Sequence, residues 1–165
     1  MLKSTARAIR GLLDGERILS LAVLVDGAPF AGLLPFVPTV DYAGVVIHAS
    51  RLSRHTAGLS AGARAAVLLH EQDGPEKDPL QIRRASFECD VHPLERNGDA
   101  WTAERERYLG RFPGSRITFR LSDFTLYRLE FRQGLWVGGF GRAVDIAPRD
   151  VAKLASHGLD RGPRA

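Results

Sequence analysis

Residues 45–59 read VVIHASRLSRHTAGL, and the fold turns on how they are understood. Val45, Val46 and Ile47 are a β-branched run that favours a strand. The stretch turns polar at His48, Ser50 and Ser53. Ser53 stands where an N-cap would precede a short helix through Arg54, His55 and Thr56. A strand running into a helix start, with two hydroxyls, a guanidinium and an imidazole, suits an anion such as a phosphate monoester. An ordinary capped helix with solvated charges explains the same residues equally well.

Working outward, residues 17–25 carry Ile18, Leu19, Leu21, Val23 and Val25 in strand-like order. Asp26-Gly27 is a turn signal, and residues 29–37 return as the second arm of a hairpin. Pro35 lies inside that arm. It cannot donate to a ladder, so the arm is an edge there or faces something other than a strand. Beyond the opening stretch, residues 63–70 are an apolar strand and residues 71–77 a charged loop expected to be mobile. Residues 80–94 then alternate with period two. Ala85, Phe87, Cys89 and Val91 share one face of it; Arg84, Ser86, Glu88, Asp90 and His92 share the other.

Residues 4–13 and 99–112 have helical apolar spacing, the second through Trp101, Tyr108, Leu109 and Phe112. Residues 124–132 form a strand, Gln133-Gly134 a hairpin turn, and residues 135–146 its return. The pattern gives about seven strands joined mostly by hairpins, without βαβ alternation. The expected fold is mainly β: a closed or nearly closed antiparallel barrel with flanking short helices. One domain spans residues 1–165, with a core over about 17–146 and a loose tail over 147–165 that holds one weak helical patch.

The chain has 165 residues, 44% hydrophobic and 25% charged, which suits one domain with a real core. The net charge of +4 comes from 20 arginines and 3 lysines. The arginines are interleaved with acids, as in Glu104-Arg105-Glu106-Arg107, which argues against nucleic acid as a partner. No run is long and apolar enough for a bilayer, so no membrane partner is expected. Cys89 is the single cysteine, and the five histidines share no metal-ligand spacing. Cytoplasmic location is the default expectation.

Five features occur in a telling order: the Asp26-Gly27 hairpin with Leu33-Leu34-Pro35-Phe36-Val37; Ser50 and Ser53-Arg54-His55-Thr56; Asp78-Pro79-Leu80 with Arg83-Arg84; Asp123-Phe124; and Gly138-Gly139-Phe140-Gly141-Arg142-Ala143. Together they resemble the pyridoxamine-5′-phosphate oxidase-like superfamily of FMN-binding split barrels. Within it they look most like the HugZ-type haem-utilisation branch. The resemblance implies an antiparallel split β-barrel working as a homodimer, with FMN at the subunit interface. It places Leu34, Pro35 and Phe36 along the flavin ring. Ser50, Ser53, Arg54, His55 and Thr56 fall around the phosphate. Arg84 and Arg142 fall near the ring. Where the oxidases carry arginine and lysine at the ends of the ring segment, this chain has Gly32 and Val37, and His55 replaces a lysine.

Three functions follow from this resemblance. One is an FMN-dependent oxidoreductase acting on a small-molecule substrate or nicotinamide donor. The second is a haem-binding or haem-degrading protein using the same cleft, with Arg84 or Arg142 on a propionate and His157 as axial ligand. The third is a cofactor-free dimeric interaction module. Because a flavin or haem carries its own redox chemistry, no catalytic triad or carboxylate pair is required of the chain.

Overall fold

A computed structural model describes residues 1–156. The elements in order are α1 (Lys3–Gly15), β1 (Ile18–Val25), β2 (Ala28–Pro38), β3 (Gly44–Ser50), β4 (Arg64–His70), β5 (Arg84–Pro93), α2 (Asp99–Arg111), β6 (Phe124–Val137), β7 (Ala143–Ile146) and α3 (Pro148–Ser156). Every strand pairing is antiparallel, in the order β3-β2-β1-β4-β5-β6-β7. A further pairing of Gly44–Ser50 with Phe124–Glu130 joins β3 to β6 and closes a six-stranded barrel, with β7 added outside it. The mainly β barrel with short helices expected from the sequence is the fold observed.

The alternation read in residues 80–94 holds. In β5, Ala85, Phe87, Cys89 and Val91 face inward and are buried. They meet Leu19, Leu21 and Val23 of β1 and Val67 and Leu69 of β4 in one core. Phe87 stacks on Phe131 at 3.9 Å. Helix α1 adds Ala6, Ile9, Leu12 and Leu13 to that core. Helix α2 instead covers the outside of β3. Its Tyr108, Leu109 and Phe112 join Val37, Val46, Phe119 and Leu126 in a second, smaller cluster.

Pro35 costs the sheet nothing, because β2 changes partner there. Residues Ala28 to Pro35 pair with β1, and Phe36 to Pro38 pair with β3. Two expectations fail. Gln133-Gly134 is not a hairpin turn: β6 runs through it to Val137, with a register shift opposite Glu88 and Cys89. Gly134 is there for close approach, since a Cβ would lie 2.1 Å from the Ser86 carbonyl oxygen. The turn comes later, at residues 138–142, where Gly139 and Gly141 have positive φ. Nor is the chain after residue 147 loose throughout. Helix α3 buries Val151 and Leu154 in the main core. Asp150 accepts from Ala147 N–H at 3.3 Å and from the Met1 amino group at 2.8 Å.

One outer face of the barrel carries no helix. Across it run Leu33, Ser20, Leu68, Ser86 and Leu135 in register, with Ala31, Ala22 and Ala66 in the next row. The side chains are small or apolar, and Leu33 is 66% and Leu24 62% exposed. No helix among the described residues is long and apolar enough to cross a membrane.

Candidate functional site

The turn after β3 is a five-residue 3-10 helix, Arg54–Gly58, and Ser53 makes no side-chain cap. So short a turn supplies little dipole, and the helix-mouth argument for an anion does not hold here. The hydroxyls are turned to the protein. Ser50 Oγ donates to Asp123 Oδ2 at 2.5 Å and accepts from Leu52 N–H. Thr56 Oγ1 donates to the Ser50 carbonyl at 2.7 Å. Arg54 is exposed and lies over the Phe30 ring at 4.9 Å. His55 folds back onto β2, where a Cβ on Gly32 would come within 3.0 Å of its Nδ1. Its Nε2 is buried without a hydrogen bond, and burial holds its pKa below the usual imidazole value.

The other expected residues lie elsewhere. Leu34 and Phe36 point into the core, 5% and 0% exposed, so of the ring segment only Pro35 offers its side chain outside. Arg84 is opposite His70 and Val137 in the sheet, and Val137 is opposite Ala143. Arg84 and the Arg142 loop therefore share one end of the barrel. Arg84 Nη1 donates to the Ile82 carbonyl at 3.1 Å. The Arg84–Glu88 pair that would make it a surface ion pair does not form; Glu88 binds Arg64 and Gln133. The 3-10 turn packs on Val23 and Leu24 towards the other end of the β1–β2 ladder, and its His55 reaches back to Gly32 midway along it. Ile18 and Leu24 are six strand positions, roughly 20 Å, apart, while the His55 ring on Gly32 lies between them along the ladder. His157 lies outside the described residues.

Beside the Arg84 end lies a cavity of about 400 Å³, walled by Ile18, Leu33 and Leu68, with Ser20, His70 and Gln72 on its polar side. Sequence reading missed it, because residues far apart in the chain build it. Two buried groups are spectators. His48 stacks on Phe119 at 3.9 Å beneath α2, and burial lowers its pKa to about 4. Burial pushes the Cys89 thiol well above its usual pKa, so it stays protonated.

Haem oxygenase HutZ of Vibrio cholerae is 28% identical over 159 residues, covering 94% of this chain and 88% of that one. A crystal structure of HutZ, described as a haem storage protein, superposes with a TM-score of 0.71 at 28% identity, over 82% of this chain and 95% of it. The chain is thus similar in sequence and in fold to HutZ, in keeping with the resemblance to the pyridoxamine-5′-phosphate oxidase-like split barrels. Two further solved structures share the fold. A haem-binding protein from Mycobacterium smegmatis gives a TM-score of 0.80 at 24% identity over 93% of this chain, which spans 62% of that protein. A FAD- and haem-binding protein from the same organism gives 0.62 at 22%, over 89% of this chain and 77% of that one. No family model matches the chain.

The two cofactors that the resemblance implies fit this chain unequally. The chain lacks the cations that the oxidases carry at the positions of Gly32, Val37 and His55; the His55 ring lies against Gly32, and Arg51 and Arg54 are exposed cations at that turn. That arrangement does not fit FMN held as the oxidases hold it. Haem asks for an apolar wall and a guanidinium for a propionate. The cavity offers Leu33 and Leu68, and Arg84 stands beside it.

Proposed function

We propose that this protein binds haem and degrades it by chemistry of the haem-oxygenase type, at a cleft completed by a second copy of the chain. The observation that carries the reading is the likeness to HutZ, which runs nearly end to end in both chains. The closure of the phosphate cradle by His55 over Gly32 weighs against the oxidoreductase with FMN and a nicotinamide donor. Bound haem supplies the iron at which dioxygen is activated against the porphyrin. The chain's own part is to exclude water with Ile18, Leu33 and Leu68 and to hold a propionate with Arg84.

The bare outer face supports the second copy. Leu24, Leu33 and Ile18 are each at least half exposed on a sheet surface that also carries Ser20, Ala22, Ala31, Ala66 and Leu68, with the Arg64–Glu88 ion pair beside them. Contiguous apolar surface of this kind marks an interface. The cofactor-free module remains the outcome if no haem is taken up.

The test is titration of the purified full chain with haemin, read by the Soret band, together with sedimentation equilibrium. Uptake of one haem per chain or per dimer is expected, followed by loss of the Soret band when a reductant and dioxygen are supplied. Failure to develop a Soret band, with released flavin in the denatured supernatant, would overturn the reading.

A further inference from the structure

We infer that the barrel end formed by residues 51–54 and 116–123 is a docking surface for the anionic face of a lipid bilayer, with Leu52 as the side chain that enters it. The inference stands apart from the haem reading. Its ground is a projecting apolar tip set among unpaired cations. Leu52 is 88% exposed and Ile117 68%, and Leu121 is exposed as well. Arg51, Arg54, Arg116 and Arg120 are exposed in the same two segments. None of the four has a carboxylate partner among the described residues.

Main-chain bonds join the two segments into one platform. Arg51 N–H donates to the Asp123 carbonyl at 2.8 Å, and Arg51 Nη2 to the Ser122 carbonyl at 3.3 Å. Arg96 donates to the Phe119 and Leu121 carbonyls at 2.6 and 3.0 Å. The Arg120 and Leu121 N–H groups close a turn on the Ile117 and Thr118 carbonyls, both at 3.1 Å. Leu52 N–H is held by Ser50 Oγ at 3.1 Å, which fixes the turn that carries the leucine outward.

Charge gives the platform a direction. Of the acids at this end, Asp123 accepts the Ser50 hydroxyl, while Asp26 and Glu95 stand on neighbouring loops. At the opposite end of the barrel, the loop from β4 to β5 carries Asp73, Glu76 and Asp78 against Lys77. An anionic surface attracts the first end and repels the second, so it turns Leu52 towards itself.

An acidic protein and a membrane both suit such cations. A stable protein interface asks for a shaped patch of about 800 Å² on each partner. A bilayer asks only for cations at its headgroups and an apolar group that reaches below them. A leucine standing almost wholly clear of its own chain fits the bilayer. Lying on the surface needs no membrane-crossing helix.

The experiment sediments the full chain with vesicles of phosphatidylcholine alone and of phosphatidylcholine mixed with phosphatidylglycerol. Binding is expected to the mixed vesicles only, and should be lost in about 0.5 M salt. Leu52→Ser should weaken it about tenfold, and Arg116→Gln combined with Arg120→Gln about thirtyfold. Val40→Ser removes an apolar side chain, 74% exposed, from the loop between β2 and β3 at the opposite barrel end, and should bind like the unaltered chain. Far-ultraviolet circular dichroism checks that each variant is folded. Haemin uptake by Leu52→Ser should equal that of the unaltered chain, which separates this surface from the haem reading. Failure to sediment with the mixed vesicles would overturn the inference, as would an equal loss in Val40→Ser. Retention on heparin without vesicle binding would overturn it in favour of an acidic macromolecule.

Discussion

The two ends of the β1–β2 ladder differ in what they leave open. At the Arg54 end the polar groups are spent on the protein itself: Ser50 on Asp123, Thr56 on the Ser50 carbonyl, and the His55 ring on Gly32. At the His70 end the His70 ring and the Arg84 guanidinium each have one hydrogen bond to a main-chain carbonyl and stand at or beside a cavity. The turn richest in motif residues is thus a structural latch. The end with the fainter sequence signal holds the open chemistry. A residue type in the right place is not a site until its hydrogen bonds are counted.

Acid gives the largest test of the closed end. His48 titrates near 4 in the folded chain, against an ordinary value of 6.5. The folded state refuses a proton that the unfolded state accepts. The contribution of His48 is therefore constant above pH 6.5, falls by ~3 kcal/mol as pH drops towards 4, and levels off below that. Urea unfolding at pH 7.5 and 4.5 measures it, and His48→Phe should flatten the dependence.

Gly32→Arg would drive a long side chain into the His55 ring and cost about 2 kcal/mol. Pairing it with His55→Lys should recover most of that loss and create an FMN phosphate site, read by flavin fluorescence quenching. Ser50→Ala removes a donor from Asp123 and should cost about 1 kcal/mol in thermal or urea unfolding. His70→Gln, at an exposed position, should leave stability in the same unfolding measurement within about 0.5 kcal/mol. A large stability loss there would erase the contrast between the ends.

The sequence made the strands legible wherever one face is buried. Alternation in β5 and the Asp26-Gly27 hairpin are local signals, and both stand. Gly134 was read as a turn because glycine and glutamine between apolar runs look like one. Its reason is the neighbouring Ser86 carbonyl, which no local pattern announces. Pro35 was legible as a break in a ladder, but not as the point where β2 exchanges β1 for β3. Helix α3 was legible only as a weak helical patch, because its stability comes from Val151, Leu154 and the buried Asp150, all contacts with distant chain. The candidate site suffered most, since the His55–Gly32 contact and the His70 cavity both depend on strands folding over one another.

The pairing of β3 with β6 has a consequence for biosynthesis. During synthesis, β3 leaves the ribosome long before Phe124–Glu130 can cover it. Until then the nascent sheet has two bare edges, at β3 and β5, each able to recruit a neighbouring chain. The last barrel strand therefore acts as a built-in guard against aggregation, and a ribosome stalled before residue 124 would release a sticky fragment rather than a smaller protein.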